Sequence, residues 1–151
     1  MSITYRSIAL WNDPTDPESP STGLKLHLTE GFTGGISVRG KDVIVPARAG
    51  RVWMPRIGDV RRLLIEGWVT GADRSEWREW TDLLGETFDP VLDPGEIKLV
   101  GPYLGIEVGV EYTIDARVLN LIAGPILAGM TAQHWSIELE SVDPDWVSSG
   151  S

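Results

Sequence analysis

The sequence predicts a mainly β protein, an antiparallel β-sandwich or half-barrel with one flanking α-helix and a long C-terminal hairpin. Three observations support this fold class. Apolar and polar residues alternate in several separate segments, the pattern of half-buried strands. Only one segment has helical periodicity. Helical and strand segments do not alternate as a parallel α/β sheet requires. A length of 151 residues fits one domain, so residues 1–151 are expected to form a single unit.

The N-terminal third is predicted to contain two strands separated by a loop. Residues 5–11 form the first predicted strand. Residues 12–23 hold three prolines and many turn-forming residues, which indicates a loop. Residues 24–29 alternate leucine with polar side chains and are predicted to be a half-buried strand. After a glycine-rich turn, residues 36–38 and 43–45 are short strand candidates.

A strand over residues 61–69 is followed by the predicted helix. The strand has an apolar face (Leu63, Ile65, Gly67, Val69) and a mixed face (Arg62, Leu64, Glu66, Trp68). Asp73 and Glu76 have the spacing of a capping box, so the helix is expected over about residues 74–84. Its apolar face holds Trp77, Trp80, Leu83 and Leu84, and Gly85 is the expected stop signal.

The second half is predicted to be a meander ending in a hairpin over about residues 104–142. A short strand at 97–100 precedes thirteen residues of alternation at 106–118. Residues 134–142 form the partner strand, with Trp135, Ile137 and Leu139 facing inward. The connection, residues 119–130, is apolar and is predicted to be an exposed hairpin tip. The last residues are expected to leave the sheet.

Composition argues against several classes of function. The 22 acidic and 13 basic residues give a net charge of −9, which disfavours specific binding to nucleic acid phosphates. Without cysteine, thiol catalysis and Cys-based metal sites are excluded. The N-terminus lacks the pattern of a signal peptide. The most apolar run, residues 119–130, is too short to span a membrane.

The sequence predicts no enzyme and no cofactor. His27 and His134 lie on polar faces of predicted strands, without the spacing of a metal site. Ser136 could meet His134 on one strand face, but a third, orienting group is missing. The acidic residues of the hairpin are most simply a solvated strand face. These patterns indicate no catalytic residue, no metal ligand and no cofactor-binding residue.

Three groups of residues are candidates for a contact surface. A basic region that fits either a subunit contact or an anion site consists of Arg48, Arg51, Arg56 and the pair Arg61 and Arg62. Trp53, Trp68 and Trp146 fit a partner surface, with a carbohydrate platform as the alternative. The apolar tip either folds back onto the core of its own chain or packs against another copy. The second arrangement is favoured and uses Leu121, Ile122, Ile126, Leu127 and Met130.

Three segments carry a resemblance to a known family. These are residues 39–50 (RGKDVIVPARAG), residues 61–69 (RRLLIEGWV) with the short helix that follows, and residues 135–146 (WSIELESVDPDW). Their order resembles the N-terminal ring-forming domain of siphophage distal tail proteins, also called minor tail proteins. The resemblance implies a fold of the tail-tube type, with two packed sheets, one flanking helix and long hairpins.

The resemblance also implies a function in the virion. It implies a structural protein that forms a homo-oligomeric, hexameric ring joining the tail tube to the tip or baseplate. Its partners would be itself, the tail tube protein and the tip or hub proteins, with DNA as passing cargo and no membrane insertion. An acidic lumen would keep DNA from adhering, through Glu107, Glu111, Asp115, Glu138 and Glu140. Another tail component, a tube or terminator subunit, remains an alternative, as does a monomeric carbohydrate-binding β-sandwich.

Overall fold

The computed structural model describes residues 2–11, 23–32, 36–39, 43–44, 51–52, 57–102, 105–126 and 131–148. Within them the chain forms one helix, α1 (Arg74–Thr87), and eleven strands. The strands are β1 (Ser2–Tyr5), β2 (Ile8–Ala9), β3 (Gly23–Glu30), β4 (Ile36–Arg39), β5 (Val43–Ile44), β6 (Arg51–Val52), β7 (Ile57–Thr70), β8 (Gly95–Val100), β9 (Glu111–Ile126), β10 (Ala132–Ser141) and β11 (Val147–Ser148).

The main sheet follows the order β2-β1-β8-β9-β10-β7-β3, with every neighbouring pair antiparallel. Strand β11 pairs with β9, and β4 pairs with the first residues of β7. Strands β5 and β6 form a separate two-stranded sheet. The predicted fold class is therefore confirmed: a curved antiparallel sheet, one helix and a long hairpin formed by β9 and β10.

The segment after β2 joins the two ends of this strand order. The Leu10 amide donates to the Ile3 carbonyl at 3.0 Å, and the Leu26 amide donates to the Leu10 carbonyl at 2.9 Å. Trp11 forms an isolated antiparallel bridge with Lys25. Since β1 and β3 both bond to this segment, the sheet curls strongly around its inner face.

The core fills the inner face of the curved sheet. The predicted alternation is confirmed in β3, in the second half of β7 and in β10. Their inward leucine and isoleucine side chains are buried, namely Leu24, Leu26, Leu28, Leu63, Ile65, Ile137 and Leu139. At Gly67, β3 passes so close that an added Cβ would lie 2.0 Å from the Lys25 carbonyl oxygen. Only glycine fits at this position, where the backbones of the paired strands β3 and β7 approach each other closely.

Helix α1 begins as predicted but ends later. The Glu76 amide donates to the Asp73 carboxylate at 2.9 Å, and the Ala72 amide donates to the Glu76 carboxylate at 3.1 Å. The predicted stop at Gly85 is wrong, because Gly85 lies inside the helix and Phe88 is the C-cap. Phe88 is fully buried and stacks on Tyr5 with 4.7 Å between ring centroids. Burial of this ring favours the additional helical turn.

Two predicted strands are shorter than the alternation indicates. Residues 5–11 are broken by a turn at Arg6 and Ser7, both of which have positive φ, so β1 and β2 form a hairpin. Residues 106–110 are irregular, and the Val110 amide bonds back to the Glu107 carbonyl across Gly109, which has a φ of 85°. Regular pairing begins only at Glu111.

The predicted apolar tip and the predicted free tail are corrected as well. Residues 119–126 continue β9 and pair with β10, so only residues 127–131 separate the two strands, and 127–130 of these lie outside the described residues. The chain then returns to the sheet after its last turn, because Val147 and Ser148 pair with Thr113 and Tyr112. Backbone pairing explains both corrections, since each segment meets a strand with available hydrogen-bonding groups.

Candidate functional site: the outer face and free edge of the sheet

The outer face is defined here as the side of β3, β7, β10 and the C-terminal half of β9 that points away from the core. Along β7 it carries the predicted mixed set of side chains. Arg62 is exposed, Glu66 is half-buried, and Trp68 keeps 40% of its surface exposed. Tryptophan is enriched at binding surfaces, so this exposed ring makes the outer face a candidate site.

Trp68 belongs to a continuous row of side chains across four segments. It lies opposite Lys25 of β3 and opposite His134 of β10, and Lys25 in turn lies opposite Trp11. Residues paired in this way project from the same face. The rings of Trp68 and His134 meet nearly edge to face, with centroids 5.3 Å apart and planes at 75°. We call Trp11, Lys25, Trp68 and His134 the aromatic row.

The next row along the strands is polar. His27 lies opposite Glu66, which lies opposite Ser136. The Ser136 hydroxyl donates to the Glu66 carboxylate at 3.4 Å, a long bond. The His27 ring packs on Trp11, with centroids 5.3 Å apart and planes at 51°. We call His27, Glu66 and Ser136 the polar row.

The polar row does not have the geometry of a catalytic site. A nucleophilic serine needs a base that takes its proton, and a third group that orients the base. Here the hydroxyl of Ser136 is bonded to a carboxylate, while His134 packs against Trp68. The sequence placed Ser136 and His134 on one strand face, but in the structure Ser136 contacts Glu66 and His134 contacts Trp68.

The five acidic residues predicted to face a lumen divide into two groups. Glu138 and Glu140 lie on the outer face, and Glu140 is paired with Arg117 of β9. Asp115 lies two residues before Arg117, on the same side of β9, where the strand pairs with β8. A salt bridge of 3.6 Å joins Arg117 to Glu140, with the arginine side chain 60% exposed. Glu111 is the first residue of β9, and Glu107 lies in the irregular segment before it. The acidic lumen stays a prediction.

The free edge is the C-terminal half of β9, residues 117–126. Strands β8 and β11 flank β9 only at residues 111–116, so among the described residues β10 alone pairs with residues 117–126. Leu119, Ile122 and Ile126 on this edge are 39%, 47% and 45% exposed, whereas Leu121 packs partly against the core. An open edge with exposed aliphatic side chains favours pairing with another chain.

A small pocket adjoins the free edge. It has a volume of about 80 Å³ and lies where the middle of β7 meets the C-terminal part of β10. Its lining mixes aliphatic and charged side chains, namely Glu30, Arg62, Leu63, Leu64, Leu119, Glu138 and Leu139. This volume is well below the roughly 300–1,000 Å³ of small-molecule sites, although it suffices for one inserted side chain.

Part of the predicted contact surface lies outside the described residues. This applies to Arg48, Trp53, Arg56, Leu127 and Met130. Arg51 begins β6, and its backbone pairs with Ile44. Among the described candidates, the structure places Trp68 on the outer face and Ile122 and Ile126 on the free edge.

Arg61 has a structural role that the sequence pattern did not reveal. Only 7% of the residue is exposed, and its guanidinium donates to the Pro144 carbonyl at 2.8 Å and to the Gly31 carbonyl at 3.1 Å. Its amide donates to the Ser141 hydroxyl at 2.8 Å. The paired arginines at 61 and 62 suggested one basic surface, yet strand alternation turns the first inward and the second outward.

Trp146, a candidate for a partner surface, instead contacts residues of its own chain. Its indole N–H donates to the Gly31 carbonyl at 3.0 Å, and its ring packs on Phe32 at 5.7 Å between centroids. Phe32 in turn meets Tyr112 edge to face at 5.4 Å. The C-terminal segment is thus fastened to the turn after β3.

The described residues contain no group of three or more histidine, aspartate or glutamate side chains placed to hold a metal ion. No helix in the same part of the chain is long and apolar enough to cross a membrane.

Comparison with known proteins gives a structural match. No protein-family model matches the sequence, and no curated protein matches it. Among solved structures, the chain is similar to a crystal structure of SPP1 Dit (gp 19.1), described as a paradigm of the hub adsorption apparatus in phages that infect Gram-positive bacteria. The TM-score is 0.64 at 14% sequence identity. The match covers 95% of this chain, which spans 50% of the SPP1 protein. At this identity the likeness shows a shared fold.

Proposed function

We propose that this chain is a structural protein of a bacteriophage tail that forms a homo-oligomeric ring. The ring is a hexamer at the distal end of the tail, connects the tail tube to the tip or baseplate, and lets DNA pass. The observation that carries this proposal is the fold, which matches a phage hub protein over 95% of the chain. In this proposal residues 1–151 act as one ring-forming domain, located in the virion tail after assembly in the host cytoplasm.

The free edge supports self-association. Among the described residues only β10 pairs with the backbone of residues 117–126, and Leu119, Ile122 and Ile126 are exposed there. Exposing such an edge in a monomer favours uncontrolled pairing, and a closed ring covers it in every copy. The contact in a ring is heterologous, so the free edge of one copy meets a different surface of the next.

The net charge of −9 is consistent with DNA as cargo. Repulsion between carboxylates and phosphates lowers adhesion to a ring wall. The residues proposed for such a wall are Glu138 and Glu140 on the outer face and Asp115, Glu107 and Glu111 of the neighbouring part of β9 and the segment before it. Tail tube and tip or hub proteins are the proposed neighbours above and below the ring.

The test compares assembly of the wild-type chain with that of two matched variants. Ile122→Lys places a charge in the middle of the free edge, whereas Leu92→Lys makes the same type of change at a site that is 42% exposed in the loop after α1. Light scattering over a concentration series and negative-stain images report the size and shape of the particles. We expect rings for the wild type and Leu92→Lys, and smaller species for Ile122→Lys.

A strict monomer at every concentration, also in the presence of the tail tube protein of the same phage, would contradict the proposed ring. Equal assembly of Ile122→Lys and wild type would leave the ring standing and would contradict the free edge as its contact. Co-sedimentation with tube or tip proteins then distinguishes a distal ring from a tube or terminator subunit.

A further inference from the structure

The aromatic row and the polar row together form an arrangement that the proposed ring does not use. Two indole rings flank one lysine across adjacent segments, and a histidine, a carboxylate and a hydroxyl lie one row further along. Trp68 is 40% exposed and His27 is exposed as well, and the other members of the two rows are half-buried. Trp11 also packs partly against the core, so Trp68 and His27 are the most accessible members of the set.

The chemistry of the two rows selects the type of ligand. Lys25 and Glu66 contribute one positive and one negative charge, so the surface has no excess charge for a phosphate or sulfate chain. A nucleic acid would stack on the rings but needs basic residues for its backbone. A neutral ligand with an apolar face and many hydroxyl groups uses both the indoles and the polar row.

We propose that the aromatic and polar rows form a binding platform for neutral oligosaccharides. The C–H face of a pyranose ring packs on Trp68, and its hydroxyl groups exchange hydrogen bonds with Glu66, Ser136 and His27. The proposal goes beyond the ring function, since it assigns a ligand to the surface at the Trp68 end of the outer face.

The spacing of the tryptophans indicates the length of the ligand. Trp11 and Trp68 are separated by β3, so they stand two strand spacings apart, roughly 10 Å. A single sugar ring does not reach both indoles. An oligosaccharide of several units does, and it gains affinity from each additional contact.

The position of the binding platform on the sheet is compatible with the proposed ring. Along β10, His134 and Glu140 are six residues apart, which corresponds to roughly 20 Å of strand. The carboxylates proposed for the lumen wall and the aromatic row thus lie at opposite ends of the same strands. The platform would occupy the rim of the ring.

The test uses an array of neutral and acidic oligosaccharides, followed by tryptophan fluorescence titration with each glycan that binds and with its constituent monosaccharides. We expect neutral oligosaccharides to bind and the monosaccharides to bind at least about tenfold more weakly. Trp68→Ala is expected to weaken binding about thirtyfold, the effect typical of losing a tryptophan anchor. Leu92→Ala, a matched change at an exposed site away from the rows, is expected to bind like the wild type.

Glu66→Ala removes one hydrogen-bonding partner of the ligand and is expected to weaken binding about fivefold. Circular dichroism melting of each variant identifies any loss caused by unfolding. Binding to no neutral glycan, or only to acidic glycans, overturns the proposal. So does binding that is unchanged in Trp68→Ala.

The same variants separate this proposal from that of the ring. If both hold, Ile122→Lys loses assembly and keeps glycan binding, whereas Trp68→Ala loses glycan binding and still assembles. Loss of assembly in Trp68→Ala would show that a second copy covers the platform, and would overturn the glycan assignment.

Discussion

The guanidinium of Arg61 donates to the backbone carbonyl of Pro144 at 2.8 Å, joining the middle of β7 to the C-terminal turn. The same side chain bonds to the Gly31 carbonyl, which also accepts from the indole of Trp146. Three segments distant in sequence thus meet at one buried arginine. This cluster fixes where β7 leaves the main sheet to pair with β4.

Replacing Arg61 should therefore be costly. We expect Arg61→Ala to lower the free energy of unfolding by about 2–4 kcal/mol, because several buried carbonyls lose their donor. Arg61→Lys should restore only part of this, since one ammonium group does not reproduce the planar fork. Urea denaturation measures the difference. Arg62→Ala, on the exposed side of the same strand, should stay within about 0.5 kcal/mol of wild type, and an equal loss in both variants would contradict this assignment.

Two glycines should respond in opposite ways to alanine. At Gly67 an added Cβ would lie 2.0 Å from the Lys25 carbonyl oxygen, which belongs to the backbone of a paired strand. We expect Gly67→Ala to lose at least about 3 kcal/mol or to fail to fold, as overpacking of a rigid site implies. Soluble yield and thermal melting report this outcome.

At Gly85, inside α1, an added Cβ meets nothing within 4 Å. Gly85→Ala should raise the free energy of unfolding by about 0.5–1 kcal/mol, because alanine loses less backbone entropy on entering a helix. A destabilised Gly85→Ala would show that the helix ends where the sequence pattern placed its stop.

The N-cap of α1 offers a local test. Asp73→Ala removes the acceptor of the Glu76 amide and should cost about 1 kcal/mol. Asp73→Ser supplies another capping oxygen and should recover most of this stability. The measurement is chemical denaturation followed by circular dichroism. If Asp73→Ala and Asp73→Ser are equally unstable, the cap bond is not the cause.

Tyr5 combines two separable contacts. Its hydroxyl donates to the Ala116 carbonyl at 3.1 Å, and its ring stacks on Phe88. Tyr5→Phe keeps the stack and leaves a buried carbonyl without its donor, so we expect a loss of about 1–2 kcal/mol. Tyr5→Leu also loses the stack and should be at least about 1 kcal/mol less stable than Tyr5→Phe. Thermal melting of both variants checks this order.

Sequence pattern alone was sufficient where one strand face meets one core. The alternation in β3, the second half of β7 and β10 predicted which side chains are buried. Successive residues of a strand point to opposite faces, so the apolar set must lie on the core face. The cap at Asp73 was also predictable, since its partner lies three residues away. For the candidate site, the pattern identified Trp68 on an exposed face and Ile122 and Ile126 as exposed.

Features that depend on a partner far along the chain became visible only in the tertiary structure. Alternation could not distinguish an apolar loop from the end of β9, since only pairing with β10 makes residues 119–126 a strand. Burial of Phe88 against Tyr5 extends α1 past Gly85, and the carbonyls of Gly31 and Pro144 turn Arg61 into an internal bond. The aromatic row likewise exists only because strand register aligns Trp11, Lys25, Trp68 and His134. Local sequence determines which face a side chain takes, whereas long-range backbone pairing determines its neighbours.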